Sequence, residues 1–151
     1  MRGMSARLST VYLDSNIFIS AGSVEEEIGR NSRSLIKAII QGKAKGITAA
    51  LTFDEAFYQL NRNKGRAQAL IYCENFLSLP NLEFKSVDMA IISEALELLK
   101  AHNFQPRDAI HAAVALAGKA DVFVTEDQSF PKIPELAMVN TKKALSALGA
   151  L

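Results

Sequence analysis

Residues 11–18 read VYLDSNIF, an apolar run that gives way to polar residues at Asp14. The β-branched and aromatic side chains from Thr10 to Leu13 are typical of a short buried strand. Asp14 ends this run, and the chain continues into a loop or a helix. We therefore predict a first strand at residues 10–13 that carries a carboxylate at its carboxyl end.

The rest of the chain alternates between predicted helices and predicted strands. The predicted strands lie at residues 46–50, 82–87, 121–125 and 135–139. The predicted helices lie at residues 25–41, 53–61, 67–79, 89–101, 106–117 and 141–148. Because the strands lack the polar alternation of a sheet with one wet face, we expect an α/β fold with a parallel sheet covered on both faces. Residues 1–151 are expected to form one domain.

Local signals predict where several helices begin. Thr52 is predicted to be an N-cap with Glu55 at the third helical position, which is the pattern of a capping box. Asp88 is predicted to cap the helix that follows it. Pro106 suits a first turn, where its missing N–H is not needed, and the alanine-rich stretch after Asp108 is expected to pack near the centre.

Composition excludes several classes of protein. The 17 basic and 16 acidic residues give a formal net charge of +1, so any binding of nucleic acid must be local. The lone Cys73 has no internal disulfide partner, and the first ten residues lack the apolar core of a signal sequence. No apolar run reaches the roughly 20 residues of a spanning helix. We expect a cytoplasmic protein that does not cross a membrane.

Carboxylates occur where a parallel sheet binds its ligands. Asp14 directly follows the first strand, and Asp127 follows the apolar residues 122–124 after two intervening residues. Glu55 and Asp108 each fall in the predicted first turn of a helix. We therefore expect Asp14, Glu55, Asp108 and Asp127 to converge at one rim of the sheet.

Such a group of acids predicts a metal site. Neighbouring carboxylates repel one another unless a cation neutralises them. Oxygen ligands without a histidine or cysteine cluster favour Mg²⁺ or Mn²⁺ over Zn²⁺. The chemistry suited to such a site is phosphodiester hydrolysis, with either one or two ions.

Four motifs in order resemble the PIN-domain family, and in particular the VapC-like toxin ribonucleases of toxin–antitoxin systems. The resemblance covers residues 11–139. The motifs are VYLDSNIF at 11–18, LTFDEA at 51–56, PRDAIHAA at 106–113 and VFVTED at 122–127.

The resemblance implies a three-layer α/β/α sandwich with about five parallel strands and Mg²⁺- or Mn²⁺-dependent cleavage of RNA. It assigns the catalytic and metal-binding roles to Asp14, Glu55, Asp108 and Asp127, and the positioning of water or substrate to Ser15, Asn16 and Thr125. It also implies a homodimer and an antitoxin partner. Asp54 is the nearest rival of Glu55, and Glu126 stands where the family often has a basic or neutral polar residue.

Other readings of these residues stay open at this point. A PIN-domain nuclease that processes RNA outside toxin–antitoxin systems would carry the same acids, and a partner-binding PIN domain would lack one. A Mg²⁺-dependent phosphatase or phosphoacceptor domain also has an aspartate after its first strand, but Asn16 stands where the haloacid-dehalogenase pattern has a second aspartate. We expect His111 to be structural. The basic residues Arg62, Lys64 and Arg66 are expected to form a solvated turn.

Overall fold

The computed structural model describes residues 8–150. Within that range, five strands form one sheet in the order β3-β2-β1-β4-β5, and every pair of neighbours is parallel. The strands are β1 (Thr10–Leu13), β2 (Lys45–Ala49), β3 (Leu82–Lys85), β4 (Val122–Val124) and β5 (Met138–Val139). The predicted α/β fold with a parallel sheet is confirmed.

Helices cover both faces of this sheet. They are α1 (Ser15–Ser23), α2 (Glu27–Ile40), α3 (Leu51–Lys64), α4 (Arg66–Phe76), α5 (Met89–Ala101), α6 (Pro106–Ala117) and α7 (Thr141–Ala147). Helices α5 and α6 contribute to the core on one face, and the other helices contribute to the core on the opposite face. The architecture is therefore an α/β/α sandwich.

The two cores follow from the alternation of side chains along the central strands. Val11 and Leu13 of β1 belong to one core, while Tyr12 between them belongs to the other. Phe123 of β4 lies on the same face as Tyr12, and the two rings stack with their centroids 4.9 Å apart. The alanine-rich α6 is largely buried against this second face, as its small side chains predict. β1 is thus buried on both sides and fixes the position of the residue that follows it.

The capping prediction for Thr52 is wrong. Helix α3 begins two residues earlier, at Leu51, its N-cap is Ala50, and no side chain caps it. The Thr52 hydroxyl is fully buried and lies 2.7 Å from the Thr48 hydroxyl, which donates a hydrogen bond to the Leu13 carbonyl. Because α3 starts directly after β2, Asp54 rather than Glu55 is the acidic residue of its first turn.

Other element bounds differ from the predicted ones by a few residues. The last strand is confined to Met138–Val139 because Ile133 and Leu136 form a separate antiparallel bridge just before it. Asp88 does cap α5, where its side chain accepts a hydrogen bond from the Ile91 N–H. Across residues 8–150, no helix combines the length and apolar character needed to cross a membrane.

Candidate active site

Asp14 lies at the carboxyl end of β1, and its carboxylate is held from several sides. The exposed fraction of the residue is 4%. Its Oδ1 accepts a hydrogen bond from the Ser15 N–H at 2.8 Å, and its Oδ2 accepts one from the Thr125 hydroxyl at 2.8 Å. The amide of Asn16 lies 3.3 Å from the same Oδ2. Burial raises the pKa of Asp14, although His111, Thr125 and Ser15 act to lower it. The hydrogen bonds to both oxygens fix the orientation of the Asp14 carboxylate.

Thr125 joins the ends of the two central strands. Its hydroxyl oxygen accepts hydrogen bonds from the Asn16 amide at 2.9 Å and from the Asp127 N–H at 3.0 Å, while it donates to Asp14. Leu13 and Val124 are partners in the register of β1 and β4, so the residues that follow them emerge side by side. The structure therefore brings Asp14 and Asp127 to the same edge of the sheet through one shared hydroxyl.

Glu55 reaches the same edge from α3, where His111 holds it. The Nε2 of His111 lies 2.5 Å from the Glu55 Oε1 and 3.8 Å from the Asp14 Oδ1. On the other side of the ring, the Tyr12 hydroxyl lies 2.6 Å from the His111 Nδ1. Burial lowers the pKa of His111, but the hydrogen bond to Glu55 and the charges of Asp14, Glu55 and Asp108 raise it more. A fully buried ring thus connects β1 to both acids.

Asp108 lies in the first turn of α6 and responds to the other three acids. Burial raises its pKa to about 6, with further contributions from the charges of Asp14, Asp127 and Glu55. The charge of His111, one turn later on the helix, acts in the opposite direction. The charges of the other three acids therefore all act on Asp108.

Asp127 and its neighbour Glu126 play different parts. The Oδ1 of Asp127 accepts hydrogen bonds from the N–H and the hydroxyl of Ser129, and its side chain is exposed. The Oε1 of Glu126 accepts from the Thr141 N–H at 2.8 Å and from the Thr141 hydroxyl, at the start of α7. Glu126 is therefore committed to the next helix, which accounts for an acid at that position.

The residues present fit a hard divalent cation by donor type and by charge. Among residues 8–150, no group of three or more Asp, Glu, His or Cys side chains is arranged to hold a metal ion. Mg²⁺ usually takes only one or two carboxylates directly and keeps waters or phosphate oxygens as its other ligands, so fewer protein ligands suffice for it. In the same part of the chain, no lysine or arginine forms an ion pair with any of the four acids. Asp14, Glu55, Asp108 and Asp127 are the residues that would hold the ion.

The sequence did not predict the partners of two members of this arrangement. His111, expected to be structural, is fully buried, contacts one candidate acid and lies close to a second. Its spacing of three residues from Asp108 was the available signal, since residues at that spacing share a helix face. For Tyr12 the sequence predicts only a place in a buried strand. Its hydroxyl needed a partner on the α6 side, which the local sequence does not reveal.

Comparisons with known proteins agree with this architecture. Among solved structures, a sarcin–ricin-loop-cleaving toxin, VapC20 from Mycobacterium tuberculosis, is similar with a TM-score of 0.66 at 17% identity, over 80% of this chain and 92% of that one. A chain of the VapBC2 complex from Rickettsia felis, bound to a promoter DNA fragment, gives 0.68 at 20% identity, over 87% and 98%. A chain of the DNA-bound VapBC complex from Salmonella typhimurium gives 0.67 at 20%, over 89% and 99%. Comparison with curated protein sequences gives no match.

The family model of the PIN domain matches residues 11–136, which include all four acids and the strands that position them. The match covers most of the chain. This chain belongs to the PIN-domain family.

Proposed function

We propose that this chain is a metal-dependent endoribonuclease that hydrolyses phosphodiester bonds of RNA. Asp14, Glu55, Asp108 and Asp127 would hold one or two Mg²⁺ or Mn²⁺ ions at the carboxyl edge of the sheet. The cytoplasm is the compartment that this activity implies. The family membership supports a nuclease, and the chemistry of the edge supports a metal ion.

One observation carries the proposal: four acids share an edge at which no lysine or arginine of residues 8–150 pairs with them. His111 is near two of these acids and offsets part of their charge. The negative charge that is left costs free energy in the folded protein. A divalent cation removes that cost, and substrate phosphate can complete its ligands.

The protein groups have separable tasks in this mechanism. When bound, a divalent cation supplies Lewis-acid activation of water and of the phosphoryl oxygen. Thr125, Asn16 and the Ser15 N–H fix both oxygens of Asp14, so the carboxylate loses little freedom when it binds a ligand. His111 fixes one oxygen of Glu55 and leaves the other available. Ser15, Asn16 and Thr125 would act as positioning residues for substrate or water.

The direct test is RNA cleavage by metal-free protein to which single ions are added back. We expect cleavage of labelled structured RNA with Mg²⁺ or Mn²⁺ and none with EDTA. Asp14→Asn should be inactive, whereas Asp88→Asn, which keeps an N-cap acceptor away from the site, should cleave like the wild type. Cleavage that EDTA and Asp14→Asn leave unchanged would contradict the proposal. Hydrolysis of p-nitrophenyl phosphate in place of RNA would favour a phosphatase.

We further propose that the nuclease is the toxin of a toxin–antitoxin pair and acts as a homodimer. The toxin assignment is supported by the series of similar structures, which are a VapC toxin and chains of VapBC and toxin–antitoxin complexes. The homodimer is what the family resemblance implies. Co-expression with the protein encoded next to its gene should suppress both RNA cleavage and growth arrest. The molar mass of the isolated chain, measured by light scattering, tests whether it forms a dimer. Cleavage without toxicity and without such a neighbour would instead indicate a nuclease of RNA processing.

A further inference from the structure

A pocket of about 520 Å³ lies beside Glu55, where α3 faces the start of α6. Its lining residues are Ile19, Asp54, Glu55, Tyr58, Gln59 and Arg107. The volume falls within the range of roughly 300–1,000 Å³ that is usual for small-molecule sites. Since Glu55 also belongs to the candidate active site, whatever occupies this pocket lies next to the reacting phosphate of the proposed nuclease.

Tyr58 gives the pocket an exposed aromatic surface. Its exposed fraction is 58%, which is high for a large ring. On the helix, Asp54 lies one turn before it and Arg62 lies one turn after it. The Arg62 guanidinium lies 5.7 Å from the ring centroid, and Arg62 is not part of the pocket lining. The ring is thus supported on the Arg62 side and contributes to the pocket on the Asp54 side.

Three polar side chains of the pocket have no polar partner in the described part of the protein. In the described part of the chain, Asp54, Gln59 and Arg107 make no side-chain hydrogen bond or ion pair. The pocket therefore offers a carboxylate that only accepts, an amide, and a guanidinium that only donates, next to an aromatic ring. An unpaired nucleotide matches this set, because it has a flat base, an edge of donors and acceptors, and a negative phosphate.

We propose that this pocket binds one unpaired nucleotide of the RNA, with its base stacked on Tyr58 and its phosphate bound by Arg107. The inference rests on the proposed ribonuclease function and names a subsite for its substrate. Stacking on an aromatic side chain and recognition of the base edge are the usual ways in which proteins bind single-stranded RNA.

Asp54 makes guanine the preferred base. The two oxygens of a carboxylate accept from two neighbouring donors, and guanine presents its N1–H and its N2 amino group side by side on the Watson–Crick edge. Adenine and cytosine each present one amino group on that edge. Uracil places carbonyl oxygens on both sides of its single N–H, so its edge is repelled by the carboxylate.

The absence of tryptophan from the sequence allows a direct binding test. Tyr58→Trp introduces a single fluorophore at the pocket, and Leu96→Trp introduces one at an exposed position of α5 as the control. Pentanucleotides UUGUU and UUUUU are titrated into each protein with EDTA present, so that no cleavage occurs. We expect UUGUU to quench the emission at position 58 with at least about tenfold higher affinity than UUUUU, and to leave position 96 unchanged.

Asp54→Asn in the Tyr58→Trp background should remove most of this preference, since one accepting oxygen becomes an NH2 group that faces a donor of guanine. Equal quenching by both oligonucleotides, or no quenching while fluorescence polarisation shows that the RNA is bound, would overturn the subsite. A response at position 96 as strong as that at position 58 would do the same.

Cleavage kinetics give a second measurement. Tyr58→Ala should raise KM for RNA by about tenfold with little change in kcat, and Tyr58→Phe should retain the wild-type KM because its ring still stacks. Unfolding temperatures should be measured as a control that both variants are folded. If the wild type cleaves RNA and Tyr58→Ala has the same KM, the subsite is wrong and the nuclease stands. If no RNA is cleaved but position 58 is still quenched selectively by UUGUU, the subsite stands and the nuclease is wrong.

Discussion

His111 and Glu55 form a hydrogen bond of 2.5 Å between Nε2 and Oε1, although 56 positions separate them in the chain. His111 belongs to α6 and Glu55 belongs to α3, so this bond joins the two helical layers above the edge of the sheet. Nε2 is the donor whether the ring is neutral or charged, because a carboxylate only accepts. The Tyr12 hydroxyl anchors the opposite nitrogen at 2.6 Å.

A matched pair of substitutions at His111 tests whether this bond positions Glu55 for metal binding. His111→Gln places an amide N–H near the position of Nε2, whereas His111→Asn can reach only the Nδ1 side toward Tyr12. We expect the Asn variant to bind Mn²⁺ about 10- to 100-fold more weakly, as is usual when a group that orients a ligand is lost. The Gln variant should retain most of the affinity.

Electron paramagnetic resonance of free Mn²⁺ measures both affinities, and the rate of RNA cleavage should follow them. Both substitutions leave space in a fully buried site, so a similar fall in unfolding temperature is expected for each. Equal loss of Mn²⁺ affinity in the two variants would show that His111 matters for packing alone.

Asp14→Asn should separate catalysis from stability. The pKa of Asp14 is raised in the folded protein, chiefly by burial, so its charged form destabilises the fold at neutral pH. The amide removes that charge and keeps an acceptor for the Ser15 N–H. RNA cleavage should fall by at least about 100-fold, while the unfolding temperature without metal should stay the same or rise.

Mg²⁺ should raise the unfolding temperature of the wild type, because the ion binds only the native state. It should raise that of Asp14→Asn only slightly, because this variant lacks one of the carboxylates that would hold the ion. Asp127→Asn should also lose cleavage, but its metal-free stability should hardly change because that side chain is exposed. A large drop in metal-free stability for Asp14→Asn would contradict this account.

The order of the five strands and of six helices was readable from the sequence, because each depends on neighbouring residues. Helix α1 was not, since the segment after Asp14 fits either a loop or a helix. The residues at 11–13 and 122–124 are aliphatic or aromatic, which is the pattern of strands buried on both faces. The start of α3 was misjudged because the Thr52 hydroxyl has a better partner than the helix end. That partner is Thr48, whose own bond goes to Leu13 on the neighbouring strand.

In the candidate site too, some positions follow from the local sequence and others depend on how distant elements pack. Asp14 and Asp127 were placed together because each follows a strand of a parallel sheet, and such ends share an edge. The contact between His111 and Glu55 depends on how α3 and α6 pack, which no local pattern reports. The role of Glu126 depends on Thr141 being brought near by the β4–β5 pair. Contacts of this long-range kind were the ones that sequence reasoning could not supply.

Asn81 is predicted to stabilise the edge of the sheet opposite the site. Its amide donates to the carbonyls of Ile39 at 3.0 Å and Ala44 at 2.7 Å, and its φ of 62° is left-handed. Asn81→Ala should lower the free energy of unfolding by about 2–3 kcal/mol, from two hydrogen bonds and the backbone cost. Asn81→Gly should lose less, because glycine adopts that φ freely.

Urea unfolding of the three proteins measures these differences. RNA cleavage should be unaffected at temperatures where each variant is folded, because Asn81 lies before β3 and the acids lie after the strands. An Asn81→Gly variant as stable as the wild type would show that the two carbonyl contacts contribute nothing.

Asp108 should make the stability of the metal-free protein depend on pH. Its pKa is about 6 in the folded protein against an ordinary value of 3.8. Between these values the folded state binds more protons than the unfolded state, so this group makes the protein more stable as the pH falls from about 7 to about 4. The pKa values of Asp14 and His111 are also raised and act with the same sign.

Comparison of unfolding temperatures between pH 7 and 5 in EDTA checks this dependence. Asp108→Asn should reduce the gain that the wild type shows on acidification, and Asp88→Asn should leave it unchanged. Saturating Mg²⁺ should oppose the gain, because the ion binds the deprotonated carboxylates and is displaced by protons. If the unfolding temperature of Asp108→Asn rises on acidification as much as that of the wild type, then Asp108 does not share the electrostatic environment of the other acids. Its assignment to the metal site would then also be wrong.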